Sequence, residues 1–340
     1  MEKLRAAIVG CGSIYQNHAA VLEENENAQL VAVCDIDEEK ARRAAQRYGC
    51  RAYTDFDEML RQEAFEVLHI CTPHYLHCPM AVAAMESGRH VLTEKPMAIT
   101  EEDARRMEVV AQKTGRYLGV CFQNRYNATS VAMRNALRSG ALGKIIGAKA
   151  LVTWDRGADY FQSGAWRGTW AQEGGGVLIN QSIHTLDLLQ WLMDAPVTKL
   201  AASVSTKRLQ DVIEVEDTAD AVIWFQNGAR ALFYATLCYV SNSPVEVEIQ
   251  CEKGVLRLAD GLDILPVNGE VVHVEDERPV GEKDYWGLGH KLLISDFYRS
   301  IIEHTPFAVD GSQAKTAVSL VQAFYQSSRQ GAPVHFDGAL

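Results

Sequence analysis

Leu4-Arg5-Ala6-Ala7-Ile8-Val9 runs into the turn Gly10-Cys11-Gly12-Ser13-Ile14-Tyr15, and a second apolar run, Leu30-Val31-Ala32-Val33-Cys34, ends on Asp35-Ile36-Asp37. The segment between them, to about Asn25, has the character of a helix. Strand, glycine turn, helix, strand, acid is the order that a dinucleotide site requires. The first two glycines let the turn be tight and let the backbone approach a pyrophosphate, which sits where unpaired N–H groups and the helix dipole favour anions. Gly10, Gly12, Ser13 and Ile14 are therefore the expected pyrophosphate turn. Asp35, with Ile36 beside it, is placed to accept hydrogen bonds from the ribose hydroxyls of an adenosine. Tyr15 departs from the pattern, because a third glycine there normally permits close helix–strand packing. The helix is expected to pack differently or to turn Tyr15 outward.

The chain around this stretch has 340 residues, enough for two domains with separate cores. A net charge of -11 offers no basic stripe to nucleic-acid phosphates. No apolar run approaches a membrane span, and the N-terminus lacks the basic-then-apolar pattern of a signal peptide, which predicts a soluble, cytoplasmic protein. The eight cysteines include no C-x-x-C and read as small buried hydrophobes in a reducing compartment, not as a disulfide or zinc framework.

Beyond Asp35, apolar runs and helical segments continue to alternate. Helices are expected at Glu38–Tyr48, Asp55–Gln62, Met80–Ser87 and Glu101–Thr114, and strands at Val67–Cys71, His90–Thr93 and Tyr117–Phe122. This predicts a doubly wound parallel sheet over residues 1–122, with ligands beyond the carboxyl ends of its strands, where Thr72, Glu94, Lys95 and Gln123 fall. The pattern changes over 123–340. A helix near Ser130–Ser139, a strand-like run Ala148–Trp154 and one strongly apolar helix, Val177–Met193, come first. Strand candidates follow at Leu200–Val204, Ala219–Phe225, Ala229–Thr236, Val245–Cys251 and Val255–Leu258, then helices at Lys291–Glu303 and Ala314–Gln330. Turns at Asn227-Gly228 and Lys253-Gly254 suit an α+β second domain with a large open, mainly antiparallel sheet.

Three constellations carry possible chemistry. In Glu94-Lys95-Pro96, proline restricts Lys95 to extended backbone and so fixes its direction at a strand end, where an ammonium favours a substrate alkoxide. In the apolar helix, Asn180, His184 and Asp187 follow at i, i+4 and i+7 and share one face. Taken alone, that helix reads as core, with His184 satisfied by Asp187; beside a dinucleotide site, His184 is the side chain best suited to exchange a proton near neutral pH. The third is the loop Trp154-Asp155-Arg156 through Tyr160, Trp166-Arg167 and Trp170, whose ring faces and guanidinium forks suit a sugar or, equally, a subunit contact. His74 and His77 offer ligand-type nitrogens, but they lie over the expected cofactor, and no metal is expected there.

With these residues in place the chain resembles the glucose–fructose oxidoreductase/inositol dehydrogenase (Gfo/Idh/MocA) family. The resemblance rests on Gly10-x-Gly12, Asp35, Cys71-Thr72-Pro73-His74 with His77, Glu94-Lys95-Pro96, and Gly174-Gly175-Gly176 leading to His184 and Asp187. The ending from Gly289-His290 through Asp296-Phe297 to Ser327-Ser328 is similar as well. The resemblance implies a Rossmann domain, a C-terminal sheet often used for dimers or tetramers, and Lys95 and His184 flanking the reacting carbon of a sugar, inositol or sugar derivative. It implies cofactor contacts from Thr72, Pro73, His74, His77, Glu94, Lys95 and Gln123, and substrate contacts from Lys95, Arg125, Arg156, Tyr160, Trp166, Arg167, Asn180 and His184. Asn180 stands where the family often has aspartate; it cannot act as a base, so its part reduces to orientation. The same Asn-Gln pair occurs in relatives that oxidise nucleotide-linked amino-sugar acids.

The sequence thus reads as an NAD-dependent sugar or cyclitol dehydrogenase, with Asp35 and Asp37 disfavouring the 2′-phosphate of NADP. A glycosidase or epimerase that oxidises its substrate transiently with tightly bound NAD needs the same residues. A non-catalytic NAD and sugar sensor on the same fold is the other reading, against which the presence of both Lys95 and His184 counts.

Overall fold

In a computed structural model, which describes residues 3–277 and 288–336, the chain divides into two units. The first is Met1–Gln123 with Gly289–Lys315; the second is Asn124–Leu288 with Thr316–Leu340. The segment 289–315, which the sequence pattern alone assigns to the second domain, packs with the first.

The first unit is built on six parallel strands: β1 (Leu4–Val9), β2 (Ala28–Cys34), β3 (Arg51–Tyr53), β4 (Val67–Ile70), β5 (His90–Thr93) and β6 (Leu118–Val120). Their order is β3-β2-β1-β4-β5-β6, so the direction of winding reverses between β1 and β4. In such sheets ligands bind outside the carboxyl ends at that reversal. Ala6, Ala7, Ile8, Val67, Leu68, Ile70, Val91 and Leu92 are fully buried, as expected of strands covered on both faces. Capping fixes the helices. Asp37 accepts from Lys40 N–H at the start of Glu38–Tyr48, and left-handed Gly49 ends it. Thr100 and Gly115 bound Glu101–Thr114 in the same way.

The returning helix Gly289–Glu303 buries Leu293, Ile294, Phe297, Tyr298 and Ile301 in this unit. A Cβ on Gly119 would meet the Phe297 ring at 2.8 Å, so β6 can carry only glycine there. Val120 N–H donates to Val309 O (3.1 Å), which ties the returning segment to the sheet edge.

The second unit holds β7 (Ile145–Thr153), β8 (Val197–Ser205), β9 (Thr218–Phe225), β10 (Arg230–Thr236), β11 (Glu246–Cys251), β12 (Gly254–Ala259), β13 (Gly261–Pro266), β14 (Val272–Val274) and β15 (Val334–His335). Their order is β14-β13-β12-β11-β7-β10-β9-β8-β15. All pairs are antiparallel except β7 with β10, so the sheet is mixed. Asn227-Gly228 makes the β9–β10 hairpin, with Gly228 at φ +87°. The part of helix Gly311–Gln330 beyond Thr316 covers one face of the sheet, where Phe324 meets Phe233 edge-on at 5.6 Å. Ser327 and Ser328 accept from the N–H groups of Ala202 and Val204 on β8 (3.0 Å each).

Candidate active site

In the first unit the glycine turn follows β1. Gly10 has φ +91°, and a Cβ there would stand 2.6 Å from the carbonyl of Cys71 at the end of β4, so only glycine fits. Nothing lies within 4 Å of a Cβ built on Gly12, which leaves space over the turn for a ligand. Helix Tyr15–Glu24 starts with no side-chain cap, which suits a phosphate at its N-terminus. Tyr15 is buried and not turned outward; its ring meets that of Tyr48 edge-on at 6.5 Å, so it packs between helices where a glycine would have brought helix and strand together.

Asp35 is aimed by two backbone donors: Cys11 N–H to Oδ2 (2.7 Å) and Asp37 N–H to Oδ1 (2.9 Å). Ile36 beside it is 95% exposed, an apolar surface suited to an adenine ring. This geometry fits NAD: an open glycine turn, an uncapped helix start and a positioned carboxylate.

At the ends of β4 and β5 the picture departs from expectation for two residues. His77 is fully buried, with Nδ1 2.7 Å from Pro96 O and Nε2 2.9 Å from Thr72 O. It therefore ties the two strand ends together and has no ring nitrogen directed outward. Burial lowers its pKa against the pull of the two carbonyls. Glu94 is also turned inward: Oε1 lies 3.0 Å from His18 Nε2 and 3.3 Å from His290 Nε2, and Oε2 accepts from Lys95 N–H (3.2 Å). Its carboxylate is thus held by partners within the first unit. Lys95 follows, just past the end of β5, before a cis peptide bond to Pro96. Thr72, Pro73, His74 and Gln123 all lie at strand ends, and Gln123 Oε1 is buried with no hydrogen-bond partner among the described residues.

In the second unit the expected single helix Val177–Met193 is two elements. Val177–Gln181 is a π-helical turn, and the α-helix is Ile183–Met193, broken at Ser182, whose hydroxyl donates to Val177 O (2.8 Å). Asn180, His184 and Asp187 therefore do not form one stripe of a continuous helix. The cause lies in the glycine run: a Cβ on Gly175 would stand 1.9 Å from Tyr325 Oη, and one on Gly176 1.9 Å from Glu216 O. The chain enters too close to its neighbours for regular winding.

Glu216 holds that entry. Its fully buried carboxyl accepts from the N–H groups of Gly176 (3.0 Å) and Leu178 (3.0 Å) and from Tyr325 O–H (3.0 Å). Burial pushes its pKa up to about 7 against those bonds. Asn180 donates from Nδ2 to Glu173 Oε1 (2.5 Å) and Tyr160 Oη (3.3 Å), and Gln181 Nε2 also donates to Tyr160 Oη (3.0 Å). Around Tyr160 stand Arg167 and Arg156, their guanidinium carbons 4.6 and 5.5 Å from the ring centre; Arg167 lies 5.2 Å from the Trp166 ring. The structure thus brings Asn180, Tyr160, Arg156, Trp166 and Arg167 together. His184 is half-buried at the start of the α-helix. Asp187 pairs instead with Arg125, at 2.7 and 2.5 Å in a buried fork, and Nη1 of Arg125 is buried with no hydrogen-bond partner among the described residues.

Sequence reasoning misses Glu173, Glu216, Tyr325, His18, His69 and Tyr298. Only His18 leaves a local trace, since Tyr15, His18, Ala19 and Leu22 share the buried face of their helix.

Two family models match the chain: "Oxidoreductase family, NAD-binding Rossmann fold" over residues 4–122 and "GFO/IDH/MocA C-terminal domain" over 130–257. The chain is 34% identical to the WlbA dehydrogenase from Chromobacterium violaceum, whose structure is a complex with NADH and UDP-GlcNAcA (TM-score 0.88, covering 100% of this chain and 98% of that one). It is 30% identical to the Bordetella pertussis WlbA dehydrogenase in the same kind of complex (TM-score 0.87, 99% and 100% covered). Among curated proteins, D-glucoside 3-dehydrogenase of Escherichia coli K12 is 27% identical, over 97% of each chain. With the β1 turn, the Asp35 carboxylate and the two-unit fold, these matches make the chain an NAD-dependent oxidoreductase of the Gfo/Idh/MocA family.

Proposed function

We propose that this oxidoreductase dehydrogenates a ring hydroxyl of a hexose whose anomeric carbon is blocked by a glycosidic or nucleotide link. The observation that carries the reading is that relatives spanning nearly the whole chain share that feature in their named ligands, a D-glucoside and UDP-GlcNAcA. Bound NAD supplies the hydride acceptor. His184 takes the hydroxyl proton as general base, and the Lys95 ammonium stabilises the developing alkoxide. Asn180, its amide held by Glu173 and Tyr160, orients the substrate and carries no proton. The rings and guanidinium groups around Tyr160 stack on and hydrogen-bond to the sugar.

The test is NADH formation from methyl glucosides, UDP-GlcNAcA, free glucose and myo-inositol. A blocked pyranose should exceed glucose and inositol in kcat/KM by at least about tenfold. Equal or better turnover of the free compounds overturns the substrate reading. His184→Ala should lose about 100-fold in kcat while its NAD affinity stays within about twofold. Undiminished turnover removes His184 from the mechanism.

We also propose a homo-oligomer that uses the outer sheet face bearing Val222, Trp224, Leu232 and Tyr234, of which Leu232 is 58% exposed. The eight unpaired cysteines support a reducing, cytoplasmic setting.

A further inference from the structure

Behind Lys95 the first unit contains a chain of buried polar side chains that the proposed reaction does not use. Glu94 Oε1 meets His18 Nε2 at 3.0 Å; His18 Nδ1 meets His69 Nδ1 at 2.8 Å; His69 Nε2 meets Tyr298 Oη at 2.9 Å. His18, His69 and Tyr298 are all 0% exposed, and they come from a helix, a strand and the returning helix. The proton positions follow from chemistry. A carboxylate only accepts, so His18 Nε2 must donate. A neutral His18 then accepts at Nδ1, so His69 donates from its own Nδ1. A neutral His69 accepts at Nε2, so Tyr298 donates its O–H. Every hydrogen in the chain points toward Glu94.

We propose that Tyr298, His69 and His18 form a one-directional relay that fixes Glu94 as an acceptor-only anion, and that Glu94, by holding the backbone N–H of Lys95, sets the direction of the Lys95 side chain. His18, His69, Tyr298 and Glu94 are then positioning residues, and their effect on catalysis rests on the role proposed above for Lys95. The other titratable groups near Glu94 are His290, whose Nε2 lies 3.3 Å from Oε1, His77, which feels its charge, and the thiols of Cys121 and Cys71, raised in pKa by burial first and by the Glu94 charge second. Burial lowers the pKa of both His18 and His69, in keeping with two neutral rings; burial pulls Glu94 upward, but the bonds from His18 and His290 outweigh it and hold Glu94 well below the ordinary carboxylate range. The ligand-type atoms of His18, Glu94 and His290 lie within 4.8 Å of one another, but hydrogen bonds among them already account for the arrangement.

Nitrogen-15 NMR of histidine-labelled full-length protein tests the relay directly. Between pH 6 and 9 it should show His18 as the Nε2–H tautomer and His69 as the Nδ1–H tautomer. The opposite tautomer at either ring, or an imidazolium, overturns the proposal. So does stoichiometric zinc in the purified protein that is lost in His18→Gln, because a metal would take His18 Nε2.

Kinetics test the consequence. His18→Leu should lower kcat by about 100-fold with KM and NAD affinity within about twofold. His18→Gln, whose amide N–H can still reach Glu94, should recover at least about tenfold of that loss. Tyr298→Phe removes only one oxygen and should move the acidic limb of the kcat profile upward, since Glu94 then binds a proton more readily. Equal losses in the leucine and glutamine variants, or a phenylalanine variant with an unmoved profile, overturn the relay; if His18→Leu does not fold, Tyr298→Phe and the NMR decide. Undiminished turnover in Lys95→Ala would instead sink the role given to Lys95 and leave the tautomers as they are.

Discussion

Asp35 and Glu94 are both carboxylates at the ends of parallel strands, and their surroundings give them opposite uses. The two backbone donors on Asp35 aim a half-buried group at the turn. A 2′-phosphate there would meet the negative charges of Asp35 and Asp37, so Asp35→Ser should cut the NAD-over-NADP ratio of kcat/KM by at least about tenfold. Steady-state assays with both cofactors decide this, and an unchanged ratio would place selectivity elsewhere. Asp35 and Gly10 are legible in the sequence because their meaning is local: one turn, one helix and the next strand. Glu94 is legible as a residue of interest but not in its role. Its partners His18 and His290 lie 76 and 196 positions away, and no spacing rule links them.

At the scale of elements, the π-helical turn shows how tertiary contacts overrule an apolar pattern. Val177–Met193 has the composition of one buried helix, yet the backbone at Gly175 and Gly176 is pressed against Tyr325 and Glu216. Those neighbours come from a distant helix and from the segment just before β9, so periodicity cannot reveal the break. Glu216 also makes this element pH-sensitive. Its carboxyl binds a proton more tightly in the fold than in the unfolded chain, with a pKa of about 7 against an ordinary 4.5. Its stability contribution is complete below about pH 4.5 and is lost as pH rises through 7, a change of at most about 3 kcal/mol. Thermal unfolding followed from pH 5 to 8 should show stability falling more steeply in the wild type than in Glu216→Gln, in which this group no longer titrates. Parallel slopes would mean that the carboxyl ionises normally.

At the scale of the whole molecule, the two classes of sheet follow from composition. Strands alternating with helices give the parallel sheet, and strands in series with Asn-Gly turns give the larger one. The parallel pairing of β7 with β10 is not visible beforehand, because nothing in either strand marks its neighbour. The outer face of that sheet is where an assembly prediction belongs. Leu232→Glu should shift the mass measured by light scattering toward the 37.7 kDa of one chain. A wild type already at that mass would remove the proposed oligomer.

The return of residues 289–315 to the first unit has a consequence for synthesis. Chains are made from the N-terminus, and domains tend to fold as they emerge. Here residues 1–123 leave the ribosome without Phe297 to cover Gly119, without Val309 to take the N–H of Val120, and without Tyr298 and His290 to complete the polar chain at Glu94. The nascent nucleotide-binding unit must therefore wait, with an open flank, until the whole intervening unit has been translated.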